Sequence, residues 1–182
     1  MKNNRILKAT QGLAMLSALL LIFLSGGAVA KESALPFGIR EYEIGQAPNF
    51  ELADIDGEMF NLESTRGRWV FLHFWASWCG PCREEMPTIQ TLSENIDEDK
   101  LYFVLVNAAE DEDTIFKFLG IVAPNLTSMM DTDGQITEIW KPRGLPTTFL
   151  IDPEGRVRYQ AVGGRDWHDK VYIGFIKSLL TN

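Results

Sequence analysis

A nearly continuous apolar run at residues 69–76 (WVFLHFWA) leads into the segment 78–82 (WCGPC), which holds both cysteines of the 182-residue chain. A run of this length and composition is typical of a strand buried on both faces of a mostly parallel sheet. Downstream, Met86, Ile89 and Leu92 recur at helical spacing on one side. The cysteines are therefore predicted to lie where a central strand turns into a helix.

The Cys79–Cys82 spacing predicts a redox site. Two thiols across a tight turn can close a disulfide with little backbone movement, and a helix N-terminus stabilises a thiolate. We expect Cys79, at the helix start, to attack a disulfide and the more buried Cys82 to resolve the mixed disulfide. The only histidines are His73 and His168, so a closed tetrahedral zinc site is hard to build and no metal is expected.

Residues 74–82 (FWASWCGPC) resemble the active-site motif of the thioredoxin superfamily. The longer run 78–87 resembles more narrowly the TlpA/ResA-like branch of exported thiol–disulfide oxidoreductases, and a second match lies at residues 144–152 (GLPTTFLID). Two separated motifs are more specific than a lone Cys-x-x-Cys. The resemblance covers roughly Ala47 to the C-terminus. It implies an α/β thioredoxin fold, in which helices flank a mixed central sheet and an N-terminal β-hairpin precedes the core.

The resemblance also implies roles for residues outside the cysteine pair. It assigns to Pro146 the cis-proline that faces the active cysteines, and to the Leu145 backbone the pairing with a bound client segment. It places Glu85 near the cysteines, where a partly buried carboxylate would accept the proton of the resolving thiol. The alternative for Glu85 is a solvated glutamate that stabilises the helix dipole. Trp78 is expected on the apolar rim that contacts substrate, with core packing as its alternative.

His73 departs from the pattern of cytosolic thioredoxins, which usually carry a buried aspartate six residues before the first cysteine. Two interpretations remain open for this residue. It is either a buried proton acceptor beneath Cys82 or a hydrogen-bonded core histidine. We favour the second, since a lone histidine in an apolar strand usually serves packing.

The first 30 residues are predicted to be an export signal. Three basic residues precede an uncharged stretch at 9–30, which ends in the small-x-small pattern Ala28-Val29-Ala30. Cleavage is favoured, because the strongly apolar centre at 13–24 is too short to span a bilayer alone. The alternative is an uncleaved membrane anchor, because the whole uncharged stretch reaches the ~20 residues that spanning needs. Either way, the domain is expected in the periplasm or another extracytoplasmic space.

The exported part is acidic. Without residues 1–30 it has 14 Lys and Arg against 25 Asp and Glu, a net charge of −11. Such a surface argues against nucleic-acid binding, which depends on basic side chains that neutralise phosphates. No flavin or nicotinamide fingerprint is visible, so no cofactor is expected. A membrane electron donor would then regenerate the dithiol.

Patterning predicts a linker at 31–46 and a thioredoxin-like domain at 47–182. Within the domain we expect a hairpin around Asp56-Gly57, a helix at 113–119 ended by Gly120, a second hairpin at 149–161 and a closing helix at 167–180. Residues 101–106 and 126–130 are expected to be strands, and 136–140 a short helix.

The predicted function is an exported thiol–disulfide oxidoreductase that reduces disulfides in periplasmic client proteins. The family suggests apo-cytochrome c maturation or copper-site assembly as the client process. The Gly80-Pro81 spacer favours a reductant, because reducing thioredoxins share it. Two alternatives stay open. The first is an oxidant that forms disulfides, and the second is a Cu(I)-binding module that uses both thiols.

Overall fold

The computed structural model describes residues 34–42 and 45–181. The predicted signal or anchor at 1–30 lies outside the described residues. Within the described ranges, no helix is both long enough and apolar enough to cross a membrane.

Across the described ranges the chain forms strands, α-helices and one 3₁₀ turn at Leu62–Thr65. In chain order the elements are β1 (Ile39–Glu41), β2 (Glu51–Ala53), β3 (Met59–Asn61), β4 (Trp69–Trp75), α1 (Gly80–Glu94), β5 (Leu101–Ala108), α2 (Glu112–Val122), β6 (Met129–Asp131), α3 (Gln135–Trp140), β7 (Thr147–Ile151), β8 (Val157–Val162) and α4 (Lys170–Leu179).

A six-stranded mixed sheet with the order β1-β8-β7-β4-β5-β6 forms the centre of the domain. β4 pairs in parallel with β5 and antiparallel with β7, so it lies inside the sheet. Every residue of β4 after the half-buried Trp69 is buried. This confirms the expected central strand and the expected mixed α/β fold.

Side chains of β4 alternate between two apolar layers, as the two-residue period of a strand requires. Phe71 and Trp75 pack in the layer that also contains both cysteines and the buried side of α1. Leu72 and Phe74 pack in the opposite layer. Burying an aliphatic or aromatic side chain of this size stabilises the fold by about 1.5–3 kcal/mol. The redox pair therefore lies in one of the two buried apolar layers of the domain.

The predicted N-terminal hairpin is confirmed as β2 and β3, which pair antiparallel. Its turn contains Gly57, whose φ of +83° favours glycine. The Asp54 side chain accepts hydrogen bonds from the backbone N–H groups of Asp56 and Glu58, each at 2.9 Å. This aspartate cap explains why the turn forms at that point.

Three elements differ from the sequence expectations. β1 lies inside the segment 31–46 interpreted as a linker, because Ile39 and its neighbours pair with β8 although they show no periodicity of their own. Helix α2 continues past Gly120, which keeps a negative φ, and its cap is the Ala123 N–H bonded to the Leu119 carbonyl. Helix α4 begins three residues later than position 167, because Asp169 caps its N-terminus through the Val171 N–H.

Candidate active site

The cysteine pair lies at the start of α1, directly after the sheet strand β4. Cys79 is the N-cap residue, and its sulfur accepts a hydrogen bond from the Cys82 backbone N–H at 3.3 Å. Pro81 occupies the first turn, where a missing N–H costs no helical hydrogen bond. The local sequence therefore aims a helix N-terminus at the Cys79 sulfur, an arrangement that favours a thiolate once the pair is reduced.

Cys79 and Cys82 are joined in a disulfide, with their Cα atoms 5.3 Å apart. The two cysteines differ in access, since Cys79 is 5% exposed and Cys82 is fully buried. Trp78, next to the pair, is 69% exposed and so is not core packing. Cys79 is thus the more accessible sulfur of the pair.

The turn between β4 and the cysteine pair is hydrogen-bonded to a residue that follows β5. Glu110, after β5, accepts hydrogen bonds from the Ser77 backbone N–H at 2.7 Å and from the Ser77 hydroxyl. The buried Asn107 side chain donates to the same Glu110 carboxylate at 2.7 Å. These contacts hold the turn between β4 and α1 in place.

Glu85 lies on the buried side of α1 and is 2% exposed. Its Oε1 accepts a hydrogen bond from the Trp167 indole N–H, whereas Oε2 has no partner among the described residues. Burial raises the pKa of Glu85 to about 8, against opposing effects from the Arg165 charge and the Trp167 hydrogen bond. The side chain is thus a protonated buried acid near neutral pH and not a solvated helix residue.

Trp167 is fully buried beneath this carboxyl group. Its backbone N–H donates to the Thr88 hydroxyl at 3.1 Å, and that hydroxyl donates to the Glu85 carbonyl at 2.7 Å. Its ring meets Phe71 of β4 edge-on, with ring centroids 4.8 Å apart. Trp167 therefore links α1, the central strand and the segment before α4.

A cleft of about 540 Å³ opens beside the buried acid. Its lining residues come from the first two turns of α1 and from the segment after β8: Pro81, Glu84, Glu85, Thr88, Gly164, Arg165 and Asp166. The cleft therefore runs between Pro81 of the cysteine turn and the helix residue Glu85.

Two glycines after β8 connect the cysteine turn with the proline loop. The Gly163 N–H donates to the Pro146 carbonyl at 2.9 Å. A Cβ added at Gly164 would lie 2.9 Å from the Pro81 Cβ, so only glycine permits this close approach. The Leu145–Pro146 peptide bond is cis, as the resemblance implied, and Leu145 is half-buried before it.

His73 lies on β4 and is fully buried. Its Nδ1 lies 2.9 Å from the Thr148 hydroxyl of β7, and its Nε2 has no partner among the described residues. Burial, with a smaller effect from the Arg165 charge, lowers the pKa of His73 to about 3. The ring is therefore neutral near pH 7, which fits the core-histidine interpretation.

Metal-binding groups at this site are limited to the two sulfurs. Across residues 34–42 and 45–181, no three His, Cys, Asp or Glu side chains come together as a metal cluster. After reduction, Cys79 and Cys82 would be two soft thiolates of the kind that Cu(I) prefers.

Residues 45–160 match the AhpC/TSA family. The chain belongs to the AhpC/TSA family. Within it, the thiol–disulfide oxidoreductase ResA of Bacillus cereus is 31% identical over 163 residues, which cover 90% of this chain and 91% of that protein. ResA of Bacillus subtilis is 36% identical over 115 residues, or 63% of this chain and 64% of that protein.

Solved structures agree with this assignment to the AhpC/TSA family. A proposed thiol:disulfide interchange protein DsbE from Chlorobium tepidum is 33% identical, with a TM-score of 0.69 over 78% of this chain and 99% of that one. A thioredoxin-family thiol:disulfide interchange protein from Chlorobium tepidum TLS is 26% identical, with a TM-score of 0.64 over 78% and 97% of the two chains. This AhpC/TSA family member is thus a thiol–disulfide oxidoreductase of the ResA and DsbE type.

Several residues of the site were not singled out by sequence reasoning. Trp167 and Arg165 follow β8, Glu110 follows β5, and Gly164 packs on the cysteine turn. The available indication was their position, since each lies a few residues after the end of a predicted strand. Position alone did not show which of them would meet the α1 side chains.

Proposed function

We propose that the chain reduces disulfides in exported client proteins through a Cys79–Cys82 dithiol cycle. The observation that carries this proposal is a cysteine pair at a helix N-terminus, one turn before a buried carboxyl group on the same helix whose pKa is raised to about 8. Disulfide exchange needs a stabilised attacking thiolate and a group that exchanges protons with solvent. The helix N-terminus would stabilise the thiolate, and the carboxyl group at the cleft would exchange the protons.

The cycle begins from the reduced protein. The Cys79 thiolate attacks one sulfur of a client disulfide, a bond forms between Cys79 and that sulfur, and the other client sulfur leaves as a thiolate. The Cys82 thiolate then attacks the Cys79 sulfur, which releases the second client thiolate and closes the Cys79–Cys82 disulfide. Two electrons pass to the client, and its two sulfurs take up protons. An upstream membrane electron donor restores the dithiol.

In its ionised form, which a pKa of about 8 makes the minor form at neutral pH, Glu85 is proposed to accept the proton of the Cys82 thiol as that thiol becomes the attacking group. Oε1 is held by Trp167, whereas Oε2 is free of hydrogen bonds among the described residues. A pKa of about 8 lets the carboxyl group exchange a proton near physiological pH. The cleft at Glu84 and Glu85 then returns the proton to solvent.

The reduction potential of the pair decides between reductant and oxidant. Equilibration with a glutathione buffer, followed by quantification of free thiols, measures this value directly. A potential below about −200 mV supports a reductant, and one near −120 mV supports a disulfide-forming oxidant. Copper retained at one ion per chain, together with no disulfide turnover, would instead support the Cu(I)-binding alternative.

The roles of the two cysteines are tested by trapping. The Cys82→Ser variant cannot resolve the mixed disulfide, so it is expected to accumulate client adducts through Cys79. Cys79→Ser is the matched control and is expected to trap no client. Adducts formed through Cys82 in the control would overturn the assignment. Adducts purified from a periplasmic extract would also identify the clients, for which cytochrome c maturation and copper-site assembly are the proposed processes.

The role of Glu85 is tested by the pH dependence of the potential. A group whose pKa differs between the oxidised and the reduced protein changes the slope by roughly 30 mV per pH unit for each proton in a two-electron couple, between its two pKa values. Glu85→Gln is expected to remove the slope change near pH 8. The matched control is Glu94→Gln, an exposed glutamate at the far end of the same helix and outside the cleft lining, which is expected to retain it. A slope change that persists in Glu85→Gln assigns that titration to another group.

Export is proposed from the basic, apolar and small-residue sequence of residues 1–30. Fractionation of cells that express the full chain is expected to place it outside the cytoplasm. Mass spectrometry of the N-terminus would then separate cleavage after Ala30 from a retained anchor. Full-length protein in the cytoplasmic fraction would contradict export.

A further inference from the structure

Arg165 lies beside the cleft and contacts three segments of the chain. Its guanidinium donates to the carbonyls of Val162 at 3.1 Å and Gly163 at 2.9 Å, both at the end of β8. It also donates to the Phe37 carbonyl at 3.3 Å, 128 positions earlier in the sequence. A half-buried arginine with this many backbone partners has one fixed position.

The Phe37 carbonyl that accepts from Arg165 also accepts a second hydrogen bond. The Tyr172 hydroxyl donates to the same Phe37 carbonyl at 3.0 Å, and Gly38 beside it has a φ of +75°. A Cβ at position 38 would lie 3.0 Å from Arg165 Nη1. Glycine at this position therefore lets the N-terminal segment close over the guanidinium.

The other side of Arg165 faces the aromatic pair under Glu85. The guanidinium carbon lies 5.2 Å from the Trp167 ring centroid and 5.6 Å from that of Tyr172. Cation–π contacts of this kind fix ring positions as well as contribute attraction. Because the Trp167 indole N–H donates to Glu85, a ring held by Arg165 sets where the carboxyl group lies.

The charged surroundings of Glu85 are few. Among the residues that line the cleft they are Glu84 on α1, and Arg165 and Asp166 after β8. On β4 the buried His73 is the titratable neighbour in the same region, and it senses the Arg165 charge as well. Arg165 is thus the positive charge among the groups lining this cleft.

We propose that Arg165 is a positioning residue for the redox site, which clamps the segment at Phe37 and Gly38 onto the Trp167 ring and thereby holds the Glu85 carboxyl in place. The proposal rests on the proposed role of Glu85. If Arg165 has this role, residues that precede Ala47 help to position the redox site. The sequence pattern predicted a linker in this part of the chain.

The test measures the pH dependence of the Cys79–Cys82 reduction potential in the full chain. Arg165→Gln removes the charge and most of the clamp, so the slope change due to Glu85 is expected to move upward by roughly 0.5 to 1 pH unit. Arg165→Lys keeps the charge but not the guanidinium fork, so it is expected to leave the slope change displaced, and full recovery of the wild-type pH in Arg165→Lys would assign the effect to charge alone and overturn the clamp. The matched control is Arg68→Gln, which removes an arginine that also donates to a carbonyl and stacks on a ring, but at the start of β4. This control is expected to retain the wild-type profile.

The outcomes separate this inference from the proposed function. If Glu85→Gln abolishes the slope change and Arg165→Gln leaves it at the wild-type pH, Arg165 has only a structural role and the inference fails alone. If Glu85→Gln leaves the slope change in place, the proposed role of Glu85 fails as well. Should Arg165→Gln not fold, Tyr172→Phe removes one hydrogen bond to the Phe37 carbonyl and leaves the ring. Because Arg165 keeps its own hydrogen bond to Phe37 in that variant, an unchanged pH profile in both Tyr172→Phe and Arg165→Lys would then overturn the clamp.

Discussion

The Trp167 indole N–H donates a hydrogen bond to the Glu85 carboxyl across 82 positions of the chain. Both side chains are buried, and together they join helix α1 to the segment before α4. Because the acid is buried, its charge depends on the few groups that contact it. The two residues thus connect protein packing with proton chemistry beside the cysteine pair.

Trp167→Phe is expected to raise the pKa of Glu85 further, because the indole hydrogen bond favours the charged carboxylate. The slope change in the reduction potential should therefore move to higher pH. The variant should also lose about 1–3 kcal/mol of folding free energy, since Oε1 of Glu85 is left without a donor. Trp140→Phe is the control, because the buried Trp140 Nε1 has no partner among the described residues. Equal effects in both variants would mean that ring size alone matters.

Glu85→Gln is expected to change how stability depends on pH. The folded pKa of about 8 exceeds the ordinary value of 4.5, so the folded state binds more protons between these pH values. The oxidised wild type should lose on the order of 3–5 kcal/mol as pH rises through this window. The Gln variant should lack that loss. Urea unfolding of both oxidised proteins at pH 5, 6.5 and 8.5 checks this, and parallel curves would contradict it.

His73→Leu is expected to protect the fold against acid. The pKa of His73 falls from 6.5 to about 3 on folding, so the unfolded state binds the extra proton in that window. The wild type should lose stability as pH drops below 6.5, by up to about 4 kcal/mol from this group. The variant should show a shallower loss between pH 7 and pH 4, measured by denaturant unfolding. The exposed His168, changed to Gln, is the control, and a matching change there would rule out the assignment to His73.

Gly164→Ala is expected to slow disulfide reduction several-fold without unfolding the protein. The added Cβ would meet the Pro81 Cβ at 2.9 Å and its carbonyl oxygen at 3.2 Å, so the cysteine turn or the loop after β8 must shift. Turnover of a disulfide-linked reporter peptide measures the effect. Gly174→Ala on α4 is the control, since a Cβ there has nothing within 4 Å. Wild-type turnover in Gly164→Ala would show that the close approach has no functional role.

The sequence was sufficient for the parts of the site that depend on local spacing. An apolar run followed by Cys79 and Cys82 predicts a strand, a turn and a helix, because each element follows from neighbours within a few residues. The cis bond at Pro146 came from resemblance and not from spacing. The N-terminal hairpin followed from alternation and the Asp56-Gly57 turn, and the structure confirms it.

Contacts between distant segments could not be predicted in this way. Nothing near Trp167 in the sequence indicates that its N–H meets Glu85, because that pairing exists only once α1 and the end of β8 are folded together. The same holds for β1, whose three residues gain their conformation from pairing with β8. At Gly120 the local sequence predicted the end of a helix, because glycine is a poor helix former. Packing of α2 keeps this residue helical instead.

The pairing of β1 with β8 also affects how the folded protein behaves at high concentration. Among the described residues, the six-stranded sheet ends on both sides in strands of only three residues, β1 and β6. Short edge strands offer few free backbone groups to a neighbouring molecule, and the acidic surface adds charge repulsion between copies. By pairing with β8, the short strand β1 covers backbone groups of this longer strand that would otherwise be free to pair with another molecule.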